Sequence, residues 1–201
     1  MTEITAHSSG MGIGSTIRYV LFAVSAILMA VTLYMIFFWV PTELNLGVSQ
    51  RIFYFHVPLA WLGMLSIVIV AIASLLHLIT GKSKWDDLAY TTAELGVLFA
   101  TLILVTGSIW ARGDLGWWWT WDAKLTTTLV LWFIYVGYLM VRAYSTKGSQ
   151  GARYGSVVAL IGAVDAPIIY MATVWWRTAH PELNVGPVAT DGDSIGSANI
   201  Y

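Results

Sequence analysis

Five stretches of this sequence, from about Arg18 to Val40, Val57 to Thr80, Ala89 to Trp110, Leu125 to Tyr144 and Tyr154 to Trp176, are apolar over lengths that suit a membrane crossing. A hydrocarbon core takes about 20 helical residues to span. In lipid every backbone amide and carbonyl has to be satisfied internally, which leaves helices and closed barrels. None of the five stretches alternates as a barrel strand does. The expected fold is therefore all-α, a polytopic transmembrane helical bundle of five spans, and 58% hydrophobic against 10% charged residues agrees with it. The first run outlasts the roughly 7–15-residue core of a signal peptide and lacks a small-x-small cleavage site, so it is expected to stay as a helix. Residues 1–17 then form a cytoplasmic tail, 18–176 the membrane domain and 177–201 a polar tail on the outer side.

Several chemistries are excluded at once. With no cysteine there is no disulfide, no thiolate metal site and no CxxCH for covalent haem. Gly81-Lys82-Ser83 has the look of the end of a phosphate loop, but Leu76 stands where the earlier glycine belongs, so ATP is not bound in that manner. The bilayer is an expected partner and nucleic acid is not.

Orientation follows from the cations beside each span. An inner N-terminus puts Arg18, Lys82, Lys84, Arg142, Lys147 and Arg153 inside, against Arg51, Arg112, Lys124 and Arg177 outside, six to four. The acids Glu43, Asp114, Asp122, Glu182, Asp191 and Asp193 all fall outside. Nine of the eleven tryptophans lie at or near that outer side, four of them in "GWWWTWDAKLT", residues 116 to 126, whereas an anchoring belt alone would enrich both surfaces. A flat, polarizable surface on one face is the expectation.

Topology also sorts the histidines. His7 is in the inner tail, and His56 and His77 stand 21 residues apart, about 30 Å along a helix. His56 and His180 share the outer level just beyond membrane spans, with the tryptophan segment between them. Two imidazoles flanking an aromatic surface suit a planar macrocycle whose iron takes one axial ligand on each face. Zinc is less well served without thiolates. Propionates would need cations, for which Arg51, Arg112, Lys124 and Arg177 are candidates. Plainer roles stand beside these: Pro58 suits the first turn of a helix that His56 merely precedes, and Asp122 suits the N-cap of the fourth helix, accepting from the amide of Lys124 or Leu125. If helical, the tryptophan segment puts Trp117, Trp118, Trp121 and Asp122 on one face and Trp119 elsewhere. Glu94 and Asp165 lie within spans, where carboxylates are costly and usually face inward.

From Arg51 to His180 the chain resembles the "WWD" membrane proteins of cytochrome c biogenesis, most closely the haem exporter protein C family, through "RIFYFHVPLAW", "VTGSIW", "GWWWTWDAKLT" and "VDAPIIYMATVWWRTAH" in that order. The resemblance implies that His56 and His180 are axial ligands of a non-covalent haem b handled as cargo. It also implies that Gly116, Trp118, Trp119, Trp121 and Asp122 form the haem-binding signature, with Arg51 at a basic position of the first outer loop and Lys124 following the aspartate. The implied role is to hold haem at the outer face of the bacterial cytoplasmic membrane and present it to a membrane-anchored haem chaperone beside ABC-type transporter subunits, without turnover chemistry of its own. This sequence departs from the family pattern in three places. Leu115 stands where a tryptophan is usual, with Trp117 added nearby, and Lys124 replaces an arginine, keeping the charge without the bidentate fork. The family has a sixth span after the second histidine, so either a further span lies beyond Tyr201 or this version ends outside.

Two other functions compete. An electron-transfer subunit with a b-type haem or quinone needs histidine pairs inside neighbouring spans, and His77 is the sole span histidine. A purely structural transporter subunit leaves the one-sided tryptophans unexplained.

Overall fold

The computed structural model describes residues 13–42, 44, 46–145 and 149–176, and every regular element among them is a helix. Residues up to 42 and from 43 onward form separate compact units. In the first, α1 (Ile13–Tyr34) runs into a wider π-helical turn, Met35–Trp39, closed by the Val40 amide on the Met35 carbonyl at 2.9 Å. Val40 is extended (φ −69°, ψ 124°), as a residue before proline tends to be, and Pro41 ends the helix.

The second unit holds α2 (Phe53–Thr80), α3 (Ser83–Asp114), α4 (Ala123–Tyr144) and α5 (Ser149–Trp175), with a short 3-10 turn, Val48–Ile52, leading into α2. Neighbours pack in the cycle α2, α3, α4, α5 and back to α2. All five long helices have the length and hydropathy of membrane spans. They also begin or end beyond the apolar runs. α2 starts four residues before Val57, so Pro58 lies inside the helix rather than in its first turn and His56 is on the helix rather than ahead of it. α3 likewise continues past Trp110 through Arg112 to Asp114. The polar ends of a span at the interface go on making helical hydrogen bonds, which a hydropathy reading does not see.

Small residues let these helices approach closely, the usual device where lipid supplies no hydrophobic drive between them. On α3, Ala89, Ala93, Gly96, Ala100, Ile103 and Gly107 recur at spacings of three and four, facing Gly63, Ser66, Val70 and Ala73 of α2. A Cβ placed on Gly96 would lie 3.4 Å from Ser66 Cβ, and one on Gly63 would lie 3.2 Å from Ile103 Cδ1. Between α4 and α5 the approach is tighter, since a Cβ on Gly162 would fall 2.7 Å from the Tyr135 ring.

Polar groups inside the bundle are tied across helices. Tyr135 donates to the Ala159 carbonyl at 3.2 Å, Trp132 Nε1 donates to Thr101 at 2.8 Å, and Arg142 Nη2 donates to Asp86 Oδ2 at 2.5 Å. Asp165 is buried as expected, with Oδ2 unpartnered among the described residues. Glu94 is not: it lies exposed on α3, because the face toward α2 is filled by Thr92, Ala93 and Gly96. Gly81, the first residue of the Gly81-Lys82-Ser83 run that has the look of a phosphate loop, terminates α2 in the left-handed conformation (φ +67°), its amide donating to the His77 carbonyl at 2.8 Å.

Candidate functional site

The pocket begins at the seam between α2 and α3. His56 is in the first turns of α2, and its Nδ1 lies 2.8 Å from the Thr106 hydroxyl oxygen on α3. Gly107 lets the backbone come up beneath the ring, since a Cβ there would be 3.3 Å from His56 Cε1. Beside it Trp110 is buried at 7% exposure and packs on Phe53 with ring centroids 5.7 Å apart. His56, Gly107, Trp110 and Phe53, together with Thr120, Asp122 and Leu125, line one small pocket, partly open to its surroundings. His56 and Asp122, distant in sequence, thus share a wall.

The tryptophan segment itself is not helical. Residues 115–122 form an irregular link from α3 to α4, so a single helical face carrying Trp117, Trp118, Trp121 and Asp122 does not exist. Gly116 explains the break: it takes φ +81°, which an L side chain rarely adopts, and its carbonyl accepts from Arg112 Nη1 across the end of α3. Trp117, Trp118 and Trp121 are 71%, 62% and 77% exposed. Trp119 is half-buried, edge-on to Trp121 at 5.7 Å. Of the four rings in this link, Trp119 is the least exposed.

Asp122 caps α4, its Oδ1 accepting from the Leu125 amide at 3.0 Å while Oδ2 accepts from the Thr120 hydroxyl at 3.0 Å. The capping role is therefore met at Leu125, and both oxygens hold the end of the loop. Replacing Asp122 by alanine is expected to cost about 0.5–2 kcal/mol of stability and by asparagine much less, because asparagine caps as well. Thermal unfolding of the two variants in one detergent is the check, and equal losses would count against the cap.

Lys124 is half-buried in the first turn of α4, and Arg51 is half-buried in the 3-10 turn that feeds α2. Three buried donors, Arg51 Nε, Trp110 Nε1 and Trp119 Nε1, have no hydrogen-bond partner among the described residues. Buried donors of this kind are normally paired, so an acceptor-bearing guest suits them. His180 and Arg177 lie outside the described residues. His77 is elsewhere, its Nδ1 3.2 Å from the Lys82 carbonyl at the far end of α2. The described residues contain no cluster of three or more His, Asp or Glu side chains placed to hold a metal ion.

Single-residue reasoning missed Thr106, Gly107 and Phe53. A signal existed for two of them, since a glycine inside a helical pattern beside threonine and serine, as in "VTGSIW", marks a close approach.

A family profile described as Heme exporter protein C matches residues 1–196. The chain belongs to the haem exporter protein C family. It is 36% identical over 163 residues to Heme exporter protein C of Bradyrhizobium diazoefficiens, covering 81% of this chain and 62% of that one. With the protein of the same name from Escherichia coli K12 the figures are 38% over 146 residues, 72% and 59%. A ccmC-like mitochondrial cytochrome c biosynthesis protein of Marchantia polymorpha is 35% identical over 163 residues, 81% and 69%. The chain thus spans roughly three fifths to two thirds of the length of these relatives. Family membership bears out the resemblance stated from the four sequence segments, and it fits a polytopic helical protein of cytochrome c biogenesis.

Proposed function

We propose that this chain binds haem b non-covalently at the outer surface of the bacterial cytoplasmic membrane and delivers it for cytochrome c maturation. His56 and His180 are the axial ligands. Trp118, Trp119, Trp121 and Asp122, turned into place at Gly116, form the surface against which the macrocycle rests, and Arg51 and Lys124 supply positive charge for its propionates. The recipient is a membrane-anchored haem chaperone, with ABC-type transporter subunits as further partners. The chain carries no turnover chemistry of its own, and its N-terminus is cytoplasmic.

The observation that carries this reading is the pocket in which His56 and Asp122 meet, with its ring-lined wall at the base of an exposed tryptophan link. Haem suits it on three counts. A histidine held by a hydrogen bond at Nδ1 is arranged as metal-bound histidines commonly are. Indole faces pack along a porphyrin. The orphaned donors of Arg51, Trp110 and Trp119 match carboxylate oxygens. The relatives' names, with haem export and cytochrome c biosynthesis in them, support the same assignment. An electron-transfer role is less well supported, because His77 is engaged by a backbone carbonyl instead of facing a second histidine.

Purified from membranes, the protein is expected to carry haem with the optical spectrum of a six-coordinate, low-spin iron. Alanine at Trp118 or Trp119 should slow transfer to the chaperone or reduce haem retention. Colourless protein after purification from haem-replete cells, or full cytochrome c maturation with both variants, would refute the role.

A further inference from the structure

Thr106 has one hydroxyl proton and two lone pairs to distribute. Its oxygen lies 2.7 Å from the Leu102 carbonyl and 3.3 Å from that of Ile103, both of which can only accept. The same oxygen lies 2.8 Å from His56 Nδ1. With the proton directed to the preceding turn, the contact with His56 is made by the imidazole as donor. Nδ1 then carries the hydrogen and the ring's lone pair resides on Nε2.

We infer that Thr106 is a positioning residue for haem ligation, holding His56 in the Nδ1–H tautomer so that Nε2 is the nitrogen equipped to bind iron. The inference rests on the haem-ligand reading of His56 and adds to it the group that selects the nitrogen. Two features of α3 make Thr106 suited to this. Its side chain is branched at Cβ and bonded back to the preceding turn, which restricts its rotation. Its neighbour Gly107 leaves room for the imidazole to lie against the helix, with the site of an absent Cβ only 3.3 Å from Cε1. The ring is thus held by a hydrogen bond at one position and by backbone contact at the next. Donation from Nδ1 also raises the basicity of Nε2, strengthening its bond to ferric iron over ferrous iron.

The test compares Thr106→Val, which keeps the shape and removes the acceptor, with Thr106→Ser, which keeps the acceptor. Haem is titrated into haem-free full-length protein, and the midpoint potential of the bound haem is measured beside it. Thr106→Val is expected to weaken haem binding about 10–100-fold and to raise the midpoint potential, and Thr106→Ser to restore both. Wild-type affinity and potential in Thr106→Val, or a failure of serine to restore them, overturns the inference. His56→Ala is measured in parallel. If it loses haem while Thr106→Val behaves as wild type, the positioning role fails and the ligand reading stands. If His56→Ala binds haem as wild type does, both fail.

Discussion

A His56→Ala variant is expected to assemble normally in the membrane and to come out of purification with its haem largely lost. The loss should exceed the roughly 10–100-fold that removal of a group behind a metal ligand costs, because the ligand itself is gone. Assembly should survive, since alanine is the best helix former and His56 is only half-buried near the start of α2. Thr106 keeps its hydrogen bond to the Leu102 carbonyl, so no polar hydrogen is stranded by the change. Haem-to-protein ratio and the absorption spectrum after purification are the measurements, made on His56→Ala and on His180→Ala. Unchanged haem content and spectrum in both variants would remove the ligand assignment.

At the other end of the bundle, Arg142→Ala should be the most destabilising single change. Asp86 is buried, its side chain 11% exposed, and Arg142 at 18% is its partner at 2.5 Å. The guanidinium also lies 5.6 Å from the centre of the Tyr90 ring, so it joins α4 to two residues of α3. Removing it leaves a buried carboxylate without a counter-charge, which costs about 3–5 kcal/mol, whereas removing both charges together is often close to neutral. Thermal unfolding in detergent of Arg142→Ala, Asp86→Ala and the double variant would show this as strong non-additivity. Additive losses would mean that the pair contributes nothing beyond its separate side chains. Asp86 precedes Thr106 by 20 residues, about 30 Å of helix, so any haem spectrum of the surviving folded protein should be unaltered.

These two sites also mark what one sequence reveals and what it withholds. Five spans were legible because lipid forces an apolar run of fixed length on each, and the Asp122 cap was legible because capping is a rule about residues three apart. Whether the link Trp117–Asp122 is helical was left open by its spacing, because the decisive residue, Gly116 at φ +81°, lies outside the aromatic run. Glu94 was expected to face inward from a general cost, yet the small residues beside it had already claimed the contact face. The pairs His56–Thr106 and Asp86–Arg142 are separated by 50 and 56 residues, and joining them requires the register of one helix against another. That register is set by the glycine and alanine seam, whose pattern is visible but whose facing partner is not.

The exposed indoles of the α3–α4 link bear on departure as much as on arrival. Trp117, Trp118 and Trp121 project from a short link pinned at both ends, by Arg112 on Gly116 and by Asp122 on Leu125, and they belong to no core. On the proposed reading, a flat guest leaning on such rings would leave sideways without any helix having to separate. Its residence time would then depend on the bond proposed at His56 and on the approaching acceptor, and not on opening of the bundle behind it.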